Sequence, residues 1–190
     1  MKRWGLMAAL LLTTSVQGQE LTAAEQFFNR LSGLCGKAYS GELIKGGSIG
    51  DGFTGQPLVM HVRQCSKTEI RIPLHVGEDR SRTWVISKTA DGLRLKHDHR
   101  HQDGSEDAVT QYGGDSRSPG SESWQSFPVD EFSIANFKQH GLAQSVTNVW
   151  HLGLDQQNFS YRLTRENRDF LLQFNLSNEV TPPPAPWGHE

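Results

Sequence analysis

Cysteine is scarce in this chain, with only Cys35 and Cys65 among 190 residues, which excludes both a disulfide-dense mini-scaffold and a cysteine-rich metal knuckle. The pair also lacks the Cys-x-x-Cys spacing of thiolate zinc sites. In an oxidising compartment its simplest fate is one intramolecular disulfide, closing a loop of about 30 residues. No apolar run approaches the roughly 20 residues a spanning helix needs, so no integral membrane segment is expected. Neither sign of charge dominates: 19 Lys and Arg are interspersed with 21 Asp and Glu for a net charge of -2, leaving no electrostatic footprint for nucleic acid. Also missing are a Gly-x-Ser-x-Gly elbow, a P-loop, a Gly-x-Gly-x-x-Gly fingerprint and a His-Glu-x-x-His helix. No residue is therefore assigned a catalytic role, and whether the protein is an enzyme stays open. There is no internal repeat, and the protein partner is unknown.

Met1-Lys2-Arg3, the apolar stretch from Leu6 to Leu12 and then Val16-Gln17-Gly18 have the charged, hydrophobic and small-residue regions of a signal peptide covering residues 1–18. This predicts a secreted or periplasmic protein. The lack of a cysteine directly after Gly18 argues against a lipid anchor. Residues 19–180 suit one domain of ordinary size, followed by a Pro-rich tail over 181–190. With Pro182, Pro183, Pro184 and Pro186, that tail cannot be a central strand and should be extended polyproline.

Thr22 followed by Glu25 makes a capping box, and Phe27, Phe28 and Leu31 fall at helical spacing, predicting a helix over 22–33. Beyond Gly36 the period changes to two. Ile70, Ile72, Leu74 and Val76 alternate with Glu69, Arg71, Pro73 and His75, and Phe170, Leu172, Phe174 and Leu176 form a similar set. Further strands are expected over 37–45, 82–88, 93–101, 107–112, 123–128, 145–154 and 158–165, with a second helix over 130–139. Asp91-Gly92 and Asp103-Gly104 are hairpin turns, because glycine supplies the positive φ that such turns require. Residues 46–55 and 113–121, rich in Gly and Ser, read as long loops. Together these features predict a mainly β fold, a single antiparallel β-barrel with a short N-terminal helix and one short internal helix.

The densest chemistry is His97, His99 and His101, at alternate positions before Asp103-Gly104. A strand that buries Leu93 and Leu95 turns all three imidazoles the same way, while Asp98 and Arg100 point outward. Arg82 shares the parity of Trp84 and Ile86 on the preceding strand. His97, His99, His101, Trp84 and Arg82 are therefore the candidate ligand-binding residues. Trp84, Trp124, Trp150 and Tyr161 are candidates either for a pocket wall or for the core. Two imidazoles at i and i+2 can also share one divalent transition metal, with Glu106, Asp107, His61, His75 or His151 available as a further ligand. The remaining reading is a polar hairpin end in solvent. Calcium lacks its EF-hand spacing here.

An N-terminal helix, a glycine-flanked first strand and an up-and-down series of strands resemble the architecture of lipocalin-type ligand-binding barrels, with Gly36-Lys37-Ala38 where that family has Gly-x-Trp. The resemblance implies a small-molecule pocket inside the barrel. The chain is also similar to bacterial exported proteins of unknown function with a histidine-rich hairpin. Separately, His99-x-His101, Glu106 and Gly113 resemble the first metal motif of the cupins, whose second motif is not found. That likeness implies His99, His101 and Glu106 as metal ligands and a metalloprotein or metalloenzyme. A third alternative is a structural or protein-interaction module whose Pro-rich tail docks on a partner.

Overall fold

The computed structural model describes residues 20–117 and 120–189, so the expected signal peptide lies outside the described residues. Among the described residues, two α-helices accompany one nearly closed antiparallel β-barrel. Helix α1 (Ala23–Ser32) begins at the capping box: the Thr22 hydroxyl accepts the Glu25 backbone N–H, and the Glu25 carboxylate accepts the Thr22 N–H at 2.9 Å. Its inward face carries Phe27, Phe28 and Leu31, all buried in the main core, where each contributes about 1.5–3 kcal/mol of hydrophobic stabilisation.

The strands are β1 (Ala38–Lys45), β2 (Leu58–His61), β3 (Gln64–Cys65), β4 (Glu69–Val76), β5 (Asp79–Lys88), β6 (Leu93–His99), β7 (Tyr112–Asp115), β8 (Trp124–Pro128), β9 (Val149–Leu154), β10 (Asn158–Arg165) and β11 (Arg168–Val180). Helix α2 (Glu131–Gln139) lies between β8 and β9. The sheet runs β7-β6-β5-β4-β2-β1-β11-β10-β9-β8, with the short β3 pairing β4. This is an up-and-down meander whose last strand returns to its first. Among the described residues the two ends of this path, β7 and β8, are left facing each other as unpaired edges.

The first turn of α2 fills that seam. Asp130 caps the helix and donates its own backbone N–H to the Gly113 carbonyl at 2.9 Å, while the buried Ser133 hydroxyl bonds both the N–H and the carbonyl of Gly113. Such close approach demands glycine. A Cβ on Gly113 would lie 1.9 Å from the Leu95 carbonyl oxygen, and one on Gly114 would lie 1.8 Å from that of Pro128. The expected loop over 113–121 is thus partly strand, because its glycines serve the seam rather than a turn. Conversely, the strand expected over 107–112 is mostly irregular: Asp107 captures the Val109 N–H at 2.7 Å, and Gln111 adopts φ 53°. Both changes come from local side-chain capture and tertiary contact that period-two patterning does not report.

Cys35 and Cys65 form the expected disulfide, joining the segment after α1 to β3. The tail is not free. Trp187 donates its backbone N–H to the Arg80 carbonyl, the Arg80 side chain donates to the Ala185 carbonyl, and that of Arg63 donates to the carbonyl of His189. The residues after β11 therefore lie across the outer face of the barrel, with Pro186 buried. Asp98, expected to face solvent, is buried there, 2.8 Å from His189 Nε2 and 3.0 Å from Arg100 Nε. Strand parity sends Asp98 outward as expected; the returning chain then covers it.

Candidate functional site

The inward residues of β5, β6, β10 and β11 converge on a cavity of about 260 Å³ toward the end of the barrel where β6 finishes. Helix α1 packs at the other end of β6, beside the β5–β6 turn, where Lys88 Nζ lies 4.7 Å over the Phe28 ring. Cross-strand register sets the wall: Trp84 stands opposite His97, Arg82 opposite His99, and His97 opposite Tyr112.

His97 is fully enclosed. Its ring stacks on Tyr112 with centroids 4.5 Å apart and meets Tyr161 edge-on at 5.7 Å. Nδ1 faces the Tyr112 carbonyl oxygen at 3.1 Å, which can only accept, so Nδ1 carries the proton. Nε2 then accepts from the Tyr161 hydroxyl at 2.9 Å. Burial, reinforced by neighbouring His99, pushes the His97 pKa down to about 3. The ring stays neutral, and burial likewise raises Tyr161 and keeps its hydroxyl protonated. Trp84 stacks on Tyr161 at 4.6 Å.

His99 lies nearer the mouth, with Nε2 3.0 Å from the Tyr112 hydroxyl. Its other ring nitrogen has no hydrogen-bond partner among the described residues. Burial, then the positive charge of Arg82, lowers its pKa to about 4. The site therefore holds two neutral imidazole–phenol pairs in an aromatic wall. Their nitrogens supply polarity without charge.

Charge enters at the rim. The loop of residues 46–57, between β1 and β2, folds inward because Asp51 accepts the backbone N–H groups of Ser48, Phe53 and Thr54, contacts that hold its carboxyl at about 2. The loop places Phe53 edge-on to Phe170 at 5.1 Å. Arg82 lies 5.2 Å over Phe53 and pairs with Asp79. Arg168 lies 5.1 Å over Phe170 and donates to the Gly46 carbonyl at 2.8 Å.

Of the residues singled out from the sequence, His97, His99, Trp84 and Arg82 come together in this cavity. His101 does not. Strand β6 ends at His99, and His101 turns into the Asp103-Gly104 hairpin with its side chain 57% exposed, 4.0 Å from Asp107. Glu106 lies on the outer surface, bound by Arg100 and Gln111. His99, His101 and Glu106 are thus not convergent, and among the described residues no group of three His, Cys, Asp or Glu is placed to hold a metal ion. The donor set implied by the cupin-like spacing does not fit a metal because the strand ends between its two histidines. His75 is buried on the outer side of the barrel, beside Pro183 and Pro184 of the tail. His151 bridges Ser126 at 2.8 Å and Thr164 at 2.9 Å. Among the described residues no carboxylate hydrogen-bonds it as a triad would require, and it does not line the cavity.

Trp150 and Tyr161 are buried around His97, whereas Trp124 stacks on His151 away from the cavity. Phe53, Tyr112, Leu163, Arg168 and Phe170 also line it and were not singled out from the sequence as site residues. The one available signal was Phe53, a lone aromatic in a Gly-rich loop after Asp51. Arg168 joins from the start of β11 on the other side of the barrel, a juxtaposition that only closure creates. Comparisons with protein-family models, curated proteins and solved structures find no match.

Proposed function

We propose that this is an exported protein that binds a small molecule in the open end of its barrel. The observation that carries the reading is the cavity itself: about 260 Å³, walled by Trp84, Tyr112, Tyr161 and Phe170, with the imidazoles of His97 and His99 as its inner polar groups. Ligand sites combine apolar walls with a few placed polar groups in this way, and typical volumes run roughly 300–1,000 Å³, so the occupant is small. The aromatic wall supplies contact area. His99, with a nitrogen unused by the chain, supplies orientation. The hydroxyls that meet a base in the cavity are the Tyr112 and Tyr161 phenols, and burial holds both protonated, so the proposal is binding without catalysis. The Cys35–Cys65 disulfide supports the exported part, since such bonds persist in oxidising compartments.

The test is a fragment panel monitored by ring and indole NMR signals. Binders are expected to shift Trp84, His97 and His99 together, and Leu163→Trp, which fills the mouth, should eliminate those shifts. Binding that persists in the filled variant, or a panel that leaves all three residues untouched, refutes the assignment.

A further inference from the structure

The rim of the same cavity decides the sign of its ligand. We infer that the ligand is a small hydrophobic carboxylate, its apolar body against Trp84 and Tyr161 and its carboxylate held at the mouth by Arg168 and Arg82. This rests on the cavity being a binding site and goes further by fixing the chemistry of the head group.

An aromatic-walled cavity could in principle prefer a cation, through the negative faces of its rings. At the rim those faces are already used: the Arg82 guanidinium lies over Phe53 and that of Arg168 over Phe170, at 5.2 and 5.1 Å. A cation entering the mouth would also meet the Arg168 guanidinium, which no ion pair among the described residues offsets. An anion meets two forked donors, the geometry that matches a carboxylate. Arg168 is the stronger argument, because its hydrogen-bond partner in the chain is the neutral Gly46 carbonyl and it makes no ion pair among the described residues. Its remaining N–H groups are not committed to a carboxylate of the protein.

Two acids stand nearby, and their charge is part of the balance. Asp79 is paired with Arg82 and offsets it, so Arg168 carries the head-group argument. Asp51 directs both carboxylate oxygens into its own loop, where Oδ1 accepts from Phe53 and Thr54 and Oδ2 accepts from Ser48 and the Thr54 hydroxyl. The imidazoles below are neutral, so the guanidinium donors lie at the rim, and a ligand orients with its apolar end inward. His99, through its free ring nitrogen, is within the same cavity to meet a polar atom partway down.

The experiment uses matched trios that differ only in head group: 3-phenylpropionate, its amide and the corresponding primary amine, and the same trio built on a branched six-carbon chain. Affinities are measured by calorimetry or by the Trp84 and His99 NMR signals. The acid is expected to bind about tenfold more tightly than its amide, with the amine weakest, and added salt should narrow the gap because the rim is accessible to solvent. In Arg168→Gln, the acid and the amide should differ by less than about twofold, the loss of a charge-assisted contact. A circular dichroism spectrum of that variant checks that the barrel is intact, and the comparison within the unmodified protein stands without it. Equal binding of acid and amide overturns the carboxylate assignment while leaving a small-molecule pocket. A preference for the amine overturns it by sign. Failure of all six compounds to perturb the cavity residues overturns both it and the pocket on which it rests.

Discussion

Lowering the pH from 7 to 5 should destabilise the barrel by about 4 kcal/mol through His97 and His99 alone. Folded, these rings are held neutral, with pKa values pushed down to about 3 and about 4, largely by burial. Unfolded, each titrates near about 6.5, so between these values the unfolded chain binds protons that the folded chain does not. Stability therefore rises with pH: it is complete above the unfolded pKa and is lost as pH falls toward the folded one. For a ring that stays neutral when folded, the difference between pH 7 and pH 5 is about 2 kcal/mol, giving about 4 kcal/mol for the pair. His75, lowered to about 4 under the tail by desolvation and by Arg80, acts in the same direction. Carboxylates contribute little in this window. Asp51, held at about 2, is ionised throughout it, and unfolded carboxylates titrate at about 4. Against a typical domain stability of about 5–15 kcal/mol, the effect is a large fraction of the whole. Guanidinium unfolding followed by tryptophan fluorescence at pH 7, 6 and 5 should give a slope near pH 5 of at least two protons taken up. His99→Asn should reduce that slope by about one proton, or about 1.4 kcal/mol per pH unit, whatever it does to absolute stability. A stability flat to within about 1 kcal/mol from pH 7 to 5 would refute the neutral, buried state of both rings.

Other substitutions probe other parts of the structure. Replacing Cys35 and Cys65 together with Ser opens a link of sequence separation 30 and should cost about 3–4 kcal/mol on the chain-entropy account, read as a lower denaturation midpoint in oxidising buffer. Tyr161→Phe removes the donor to His97 Nε2 and leaves a buried ring nitrogen unpaired, for a loss of about 1–3 kcal/mol; an unchanged midpoint would count against the assigned tautomer. Gly114→Val drives a side chain into the Pro128 carbonyl and should open the β7–β8 seam, seen as faster amide exchange in β7 and the first turn of α2 than in β1. Asp98→Ala removes the acceptor shared by Arg100 and His189 and should release the tail, so that limited proteolysis cuts near Pro186 at protease levels that leave the unmodified protein whole.

The fold was legible because its determinants are periodic and local. Thr22 and Glu25 place a helix start within one turn, and the alternation from Ile70 to Val76 reports a strand with one buried face whatever its neighbours are. What escaped were the elements set by contact between distant segments. Gly113 and Gly114 look like loop residues in sequence, since nothing local says that Leu95 and Pro128 will pass within van der Waals contact of them. The reach of the tail over Asp98 is equally non-local, joining residues 98 and 189. A polar residue on an outward parity is normally solvated, and here only the returning chain makes it buried.

The site divides along the same line. Parity alone carries His97, His99, Arg82 and Trp84 to one side of two adjacent strands, because Leu93 and Leu95 commit β6 to a single orientation. That argument extends only as far as the strand does. His101 has the correct parity but lies beyond the last ladder residue, where the chain bends toward Asp103-Gly104 and parity no longer determines direction. The feature on which the carboxylate proposal rests, Arg168 and Arg82 lining one mouth, needs β11 to return to β1 and the 46–57 loop to fold inward, and neither event leaves a periodic trace. Strand alternation therefore identifies which residues can reach the interior, while barrel closure and loop capture decide which of them meet. It is the second step that converts a row of histidines into a neutral polar floor beneath a rim that bears two guanidinium groups.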